Sequence, residues 1–133
     1  MLACASAQAG QAERFGPYEL HYSVVNTTFL APEVASRYGI VRGEKRGILN
    51  LALREHLPNG DTVARAMQLE GRTWDLIQGH ELEFQAVREG PAIYYLAPFS
   101  FINREWRHFE LHFRPEGADQ THTFKFRHQL FIH

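Results

Sequence analysis

The stretch Pro17-Tyr18-Glu19-Leu20-His21-Tyr22-Ser23-Val24 decides the fold. Tyr18, Leu20, Tyr22 and Val24 alternate with Glu19, His21 and Ser23, a period of two that puts the apolar side chains on one face of a half-buried strand. The same period returns along the chain. Leu49, Leu51 and Leu53 alternate with Asn50, Ala52 and Arg54, and Phe109, Leu111 and Phe113 alternate with His108, Glu110 and His112. Leu82, Phe84 and Ala86 share a face within residues 81–88, as do Phe124, Phe126, Leu130 and Ile132 within residues 121–132. Residues 62–70 and 73–77 read as two further strands broken at Gly71, and residues 92–101 as an aromatic-rich strand with Pro98 near its end. Turns fall between these runs at Pro58-Asn59-Gly60-Asp61, Gln78-Gly79-His80, Glu89-Gly90-Pro91 and Pro115-Glu116-Gly117-Ala118-Asp119.

One helix signal interrupts the pattern. Pro32 suits the first helical position, Glu33 complements the helix dipole, and Gly39 can take the left-handed cap, which predicts about two turns. The expectation is an all-β protein: an antiparallel immunoglobulin-like β-sandwich of about eight strands with one short connector helix. A single small barrel is the alternative.

A chain of 133 residues is about one domain. With 44% hydrophobic and 22% charged residues it can close a core, which excludes wholesale disorder. A net charge of −1 argues against a duplex nucleic-acid binder, which would need a basic surface. The longest body stretches without Asp, Glu, Lys or Arg, residues 20–32 and 91–103, fall short of the roughly 18 apolar residues of a membrane helix. No membrane span is expected.

The composition changes abruptly after residue 12. Residues 1–12 carry five Ala and no charge, and Ala7-Gln8-Ala9 has the small residues that signal peptidase reads. Residues 1–14 are therefore expected to be the remnant of a truncated signal peptide, and residues 15–133 a single exported domain. An Ala-rich disordered tail is the alternative. Cys4 is the only cysteine, so the body is expected to stand without a disulfide; Leu2-Ala3-Cys4 resembles a lipobox in the wrong register.

The eight histidines invite a metal reading. His108, Glu110 and His112 share one strand face, yet at 3.3 Å per residue the two His Cα atoms lie about 13 Å apart, too far for a compact site without a histidine such as His122 or His128 from a neighbouring strand. Solvated polar residues on an outer face are the simpler reading. His80-Glu81 opens like a zincin motif, but Phe84 stands where the second ligand is needed and the segment alternates like a strand. His128 shares the inward parity of Phe126 and Leu130, as a hydrogen-bonded core or rim histidine would. No Gly-x-Ser-x-Gly elbow surrounds Ser23, Ser36 or Ser100, and Gly39-Ile40-Val41-Arg42-Gly43 lacks the Lys-Ser/Thr of a phosphate loop. No catalytic residue, metal site or cofactor is assigned.

A resemblance enters through Phe15-Gly16-Pro17-Tyr18-Glu19-Leu20-His21-Tyr22, through Asn26-Thr27-Thr28-Phe29-Leu30-Ala31-Pro32-Glu33-Val34-Ala35, and through Tyr38-Gly39-Ile40. Together they resemble the opening of domain of unknown function 4426, a family of Gram-negative bacteria. Arg88-Glu89-Gly90-Pro91-Ala92-Ile93-Tyr94-Tyr95 resembles its second signature, and the likeness runs from Phe15 to Ile132. In that family a Thr often stands where this chain has Ala31, and an acidic residue where it has Pro91. Loss of the Thr removes a helix cap worth ~1 kcal/mol. The resemblance implies an exported, periplasmic, sandwich-like domain and implies no reaction.

The resulting expectation is a non-catalytic periplasmic binding or protein-interaction module with an unidentified protein or peptide partner in the cell envelope. Its expected contact surface is the connector helix and following loop (Glu33, Tyr38, Arg42, Arg46) with Arg88, Tyr94 and Tyr95. The alternatives are a metal-assisted hydrolase built on His108, Glu110 or His112, and an envelope assembly factor.

Overall fold

A computed structural model describes residues 10–132. Ten strands form two antiparallel sheets. The first sheet has the order β1 (Gln11–Phe15), β2 (Tyr18–Asn26), β3 (Arg46–His56), β8 (Ala92–Ser100), β7 (Gln85–Glu89), with β4 (Thr62–Ala64) paired to the far end of β3. The second has the order β10 (His122–Gln129), β9 (Trp106–Pro115), β5 (Met67–Trp74), β6 (Gly79–Leu82). The alternating runs read from the sequence are the inner faces. Leu20, Leu49, Leu51 and Leu53 from the first sheet meet Phe109, Leu111 and Phe113 from the second, all essentially without exposure. Rings interlock across the gap: Phe99 on Phe109 with centroids 5.3 Å apart, Phe15 on Phe113 at 5.1 Å, and Tyr22 on Phe124 and Phe126 at 4.8 and 4.7 Å.

The strand count exceeds the expected eight for identifiable reasons. Strand pairing starts at Gln11, inside the segment assigned to the tail, because Gln11 to Phe15 pair residue by residue with Tyr22 to Tyr18 across the Gly16-Pro17 turn. The remaining residues assigned to the tail, 1–9 with Cys4 and Ala7-Gln8-Ala9, lie outside the described residues. Residues 81–88 divide into β6 and β7, which belong to different sheets, so the chain crosses the sandwich between them. Residues 62–70 likewise divide at Arg65-Ala66, and β5 then runs straight through Gly71. Gly71 is no strand breaker. A Cβ there would sit 2.9 Å from the Glu110 carbonyl oxygen and 2.9 Å from Leu111 Cδ2, so the glycine permits a close approach of β5 to β9.

The connector between β2 and β3 holds a 3-10 turn (Thr27–Phe29) and the helix α1 (Pro32–Arg37), as the Pro32 and Gly39 signals predicted; Gly39 has φ 68°. Ala31 at the N-cap makes no side-chain capping bond. The connector folds over the outer face of the first sheet. There Leu30, Val34, Tyr38 and Ile40 cover Val25, Ile48, Val87 and Leu96 in a second, smaller core.

Two predictions follow the packing. Gly71→Ala should lower the unfolding free energy by about 1–3 kcal/mol through overpacking against β9. Gly10→Ala, whose Cβ meets nothing within 4 Å, should leave it unchanged; equal urea midpoints for both variants would contradict the close approach. His128, opposite the buried Arg107, is held below its ordinary imidazole value of 6.5 by burial. The unfolded chain therefore binds that proton first, and stability should fall as pH drops below about 6.5. Glu19 acts in a separate window. Its hydrogen bond from His56 at 2.8 Å lowers its carboxyl from the ordinary 4.5, so its contribution is kept above that value and lost at more acid pH. His128→Gln should flatten the first slope and spare the second in urea titrations at stepped pH.

Candidate functional site

Strand direction and register bring four chain segments to one end of the sandwich. β2 ends there at Asn26 opposite Gly47, and β8 ends there at Ser100 opposite Arg46. Trp74, at the end of β5, pairs with His108 near the start of β9, and Trp106 pairs with Gln129 at the end of β10. This pole is thus built from residues 27–45, 75–78, 101–105 and 130–132.

The segments are stitched together. Thr27 Oγ1 accepts from the Gly43 amide and donates to its carbonyl, and Arg42 donates to the carbonyls of Thr27 and Thr28. The Phe101 amide donates to Lys45, the Arg104 amide to Leu130, and the Leu130 amide to Glu105. Asn26 Nδ2 donates to the Phe131 carbonyl, and the Ile132 amide to Asn103 Oδ1.

Beneath them lies Arg107, a charged side chain with only 4% exposure. Its Nε donates to Thr73 Oγ1 at 2.9 Å, and its Nη1 lies 3.1 Å from Glu105 and 3.6 Å from Asp75, while the guanidinium sits 5.7 Å from the centre of the Phe99 ring. A guanidinium can be kept in such a place only because two carboxylates and a hydroxyl satisfy it. The result is mechanical. Asp75 is fixed by Arg107 on one carboxylate oxygen and receives the Ile77 and Gln78 amides on the other, both at 2.8 Å. Those two amides, first Gln78 and then Ile77, hold its carboxyl below the ordinary carboxylate value. This tight turn leaves Leu76 98% and Ile77 86% exposed.

They are not isolated. Every exposed large apolar side chain among the described residues lies at this pole: Leu76, Ile77, Ile102, Trp106, Phe131 and Val41, with Phe29. Single exposed apolar residues need no explanation, but their collection at one end does. Both tryptophans are there as well. Arg127 lies over the Trp106 ring at 4.6 Å, and Arg72 over Trp74 at 4.7 Å, whose other neighbour is the stacked His108.

The residues expected at the contact surface are distributed differently. Arg42 and Arg46 belong to the pole, Arg46 donating from Nε to the Val41 carbonyl. Tyr38 is drawn into the second core, and its hydroxyl donates to Glu89, a bond that raises its pKa. Glu33 is exposed in the first turn of α1, and Arg88 is exposed on the edge strand β7. Tyr94 and Tyr95 face opposite ways, as adjacent strand residues must. Tyr95 points into the main core with 8% exposure, and its hydroxyl accepts from the Met67 amide. Tyr94 packs on the second core and lines a cleft of about 270 Å³ with His21, Ser23, Asn50, Ala52 and Arg54, where the buried Asn50 Oδ1 has no hydrogen-bond partner. Phe99 and Phe101 are buried.

His108 and His112 lie on the outer face of the second sheet. His112 shares its Nδ1 with Thr123 Oγ1 and its Nε2 with Glu110, each at 2.9 Å, and His108 is stacked on Trp74. No group of three or more His, Cys, Asp or Glu side chains among the described residues is placed to hold a metal ion. No helix among them is long and apolar enough to cross a membrane.

The sequence profile of DUF4426, a domain of unknown function, matches residues 12–133. The chain belongs to this family. It is similar to the solved structure of a DUF4426 family protein (PA0388) from Pseudomonas aeruginosa, 35% identical, with 96% of this chain and 98% of that one covered and a TM-score of 0.80. Two structures of FetP from uropathogenic Escherichia coli share the fold at much lower identity. One is FetP as isolated after expression in the periplasm (11% identical, 93% and 95% covered, TM-score 0.64). The other is a copper-bound variant (10% identical, 93% and 91% covered, TM-score 0.63). No curated protein matches the chain.

Arg107→Ala would leave Asp75 and Glu105 facing each other without their cation. It should destabilise the protein by about 3–5 kcal/mol and speed hydrogen exchange at the Ile77 and Gln78 amides. Unchanged exchange at those amides would separate Arg107 from the turn.

Proposed function

We propose that this family member is a non-catalytic interaction module of the periplasm, and that it meets its partner through the apolar pole. The observation that carries the reading is the gathering of the exposed large apolar side chains at one end, on loops tied together by a buried ion network. Leaving a Leu or Ile in water forgoes about 1.5–3 kcal/mol per side chain that burial would return, and a fold that holds two of them out on a rigid turn presents them for contact. Arg42 and Arg46 of the expected surface support the pole from its rim. The Ala7-Gln8-Ala9 pattern and the composition change after residue 12 support export.

The copper seen in the FetP variant has no counterpart site among the described residues of this chain. The described residues offer no matching donor cluster, and both ring nitrogens of His112 are already hydrogen-bonded. The same observations weigh against a hydrolase built on His108, Glu110 and His112.

A photo-cross-linking amino acid placed at Leu76, at Ala52 in the Tyr94 cleft, or at Thr123 on the outer face of the second sheet tests the reading in whole cells. Adducts at position 76, with few or none at 52 and 123, are expected. Adducts concentrated at 52 would move the contact to the cleft, and adducts only at 123 would overturn the proposal.

A further inference from the structure

We propose that the partner of the pole is an anionic lipid surface; this rests on the pole being the contact face. The make-up of the apolar group is the first argument. Leu76 and Ile77 stand on an exposed turn beside an open cleft of about 530 Å³, with Ile102 and Phe131 on neighbouring loops and Trp106 at the start of β9. Aliphatic tips backed by tryptophan and arginine match the gradient from acyl chain to headgroup, where the indole ring takes the interface and long cationic side chains reach the phosphates.

Charge is the second. Arg37, Arg42, Lys45, Arg72, Arg104 and Arg127 are exposed around the pole, against Glu33, Glu44 and Glu81. The two carboxylates at its centre, Asp75 and Glu105, are turned in on Arg107 and about a tenth exposed (11% and 10%), and Arg107 neutralises one of their two charges, so they offset the rim only in part. A protein with net charge −1 therefore presents a positive end, complementary to anionic headgroups.

Arg104 is the third. Its backbone has φ 70°, a left-handed conformation that favours glycine, and it is the only such non-glycine residue among those described. Its amide and carbonyl are both used, by Leu130 and Gln129, whereas its guanidinium makes no hydrogen bond or ion pair among the described residues. The fold thus tolerates strain to keep an unpaired cation at the tip of the 101–105 loop.

Sedimentation of the purified chain with vesicles tests this. Vesicles of phosphatidylcholine with about one third phosphatidylglycerol should bind it at least ~10-fold more tightly than phosphatidylcholine alone, and added salt should weaken the binding. The double variant Leu76→Asp/Ile77→Asp, checked for an unchanged thermal melt, should lose binding at least ~10-fold. Arg104→Gly should melt at the same or a higher temperature yet bind several-fold more weakly, a combination that a merely structural arginine would not give. Equal binding to neutral vesicles would overturn the charge recognition. No binding to either vesicle, together with protein adducts at position 76 in cells, would overturn the lipid partner and leave the pole as a protein-contact face. Full binding by the double variant would overturn the pole itself.

Discussion

A single buried cation, Arg107, organises the apolar pole of this molecule. Arg107 lies on the inner face of β9, in line with Phe109, Leu111 and Phe113, where the strand pattern calls for an apolar residue. Its charge is retained there because Thr73, Glu105 and Asp75 approach it from three directions. Asp75 starts the 75–78 loop of the pole and Glu105 ends the 101–105 loop, while Thr73 lies in β5. The ion network therefore fixes the two most prominent loops relative to the sheets, and the Leu76-Ile77 turn inherits that rigidity. A hydrophobic residue of similar volume at position 107 could satisfy the core, but would leave the turn without its anchor.

The rest of the sandwich supplies the platform. Large aromatic side chains fill the space between the sheets, and Gly71 lets β5 lie close against β9, which bears Arg107. The connector between β2 and β3 closes part of the outer face of the first sheet and returns through Thr27, Arg42 and Gly43 to the pole. FetP shares this architecture and a variant of it binds copper, whereas His108 and His112 of this chain lie on an outer sheet face among hydrogen-bonding and stacking partners. The same frame thus carries different surfaces, and the surface has to be argued from its own residues.

Much of the fold was legible. Period-two runs such as Tyr18 to Val24 and Phe109 to Phe113 mark strands because one face of each must be buried, and Pro32 with Gly39 bounds the connector helix. The failures share a cause. Residues 81–88 and 62–70 keep a continuous pattern while the chain changes sheets, since both inner faces demand the same apolar residues and no local signal marks the crossing. The pole was less legible still. Leu76 and Ile77 look like the end of a strand, and only Asp75, able to accept the Ile77 and Gln78 amides, hinted at a turn. Exposure is a tertiary property, and the four segments of the pole are brought together by register across two sheets. Arg42 and Arg46 follow a recognisable helix and lie at the pole, whereas Tyr95, expected at a surface, is in the core.

Both tryptophans of the chain, Trp74 and Trp106, lie at the pole, so intrinsic fluorescence reads that end alone. The most direct test of the account is the emission of the intact protein as it is titrated with phosphatidylglycerol-containing vesicles. A blue shift that saturates with binding and that Trp106→Phe reduces is expected. Protein that sediments with the vesicles while its emission stays unshifted would be held by another face, and the central claim would be wrong.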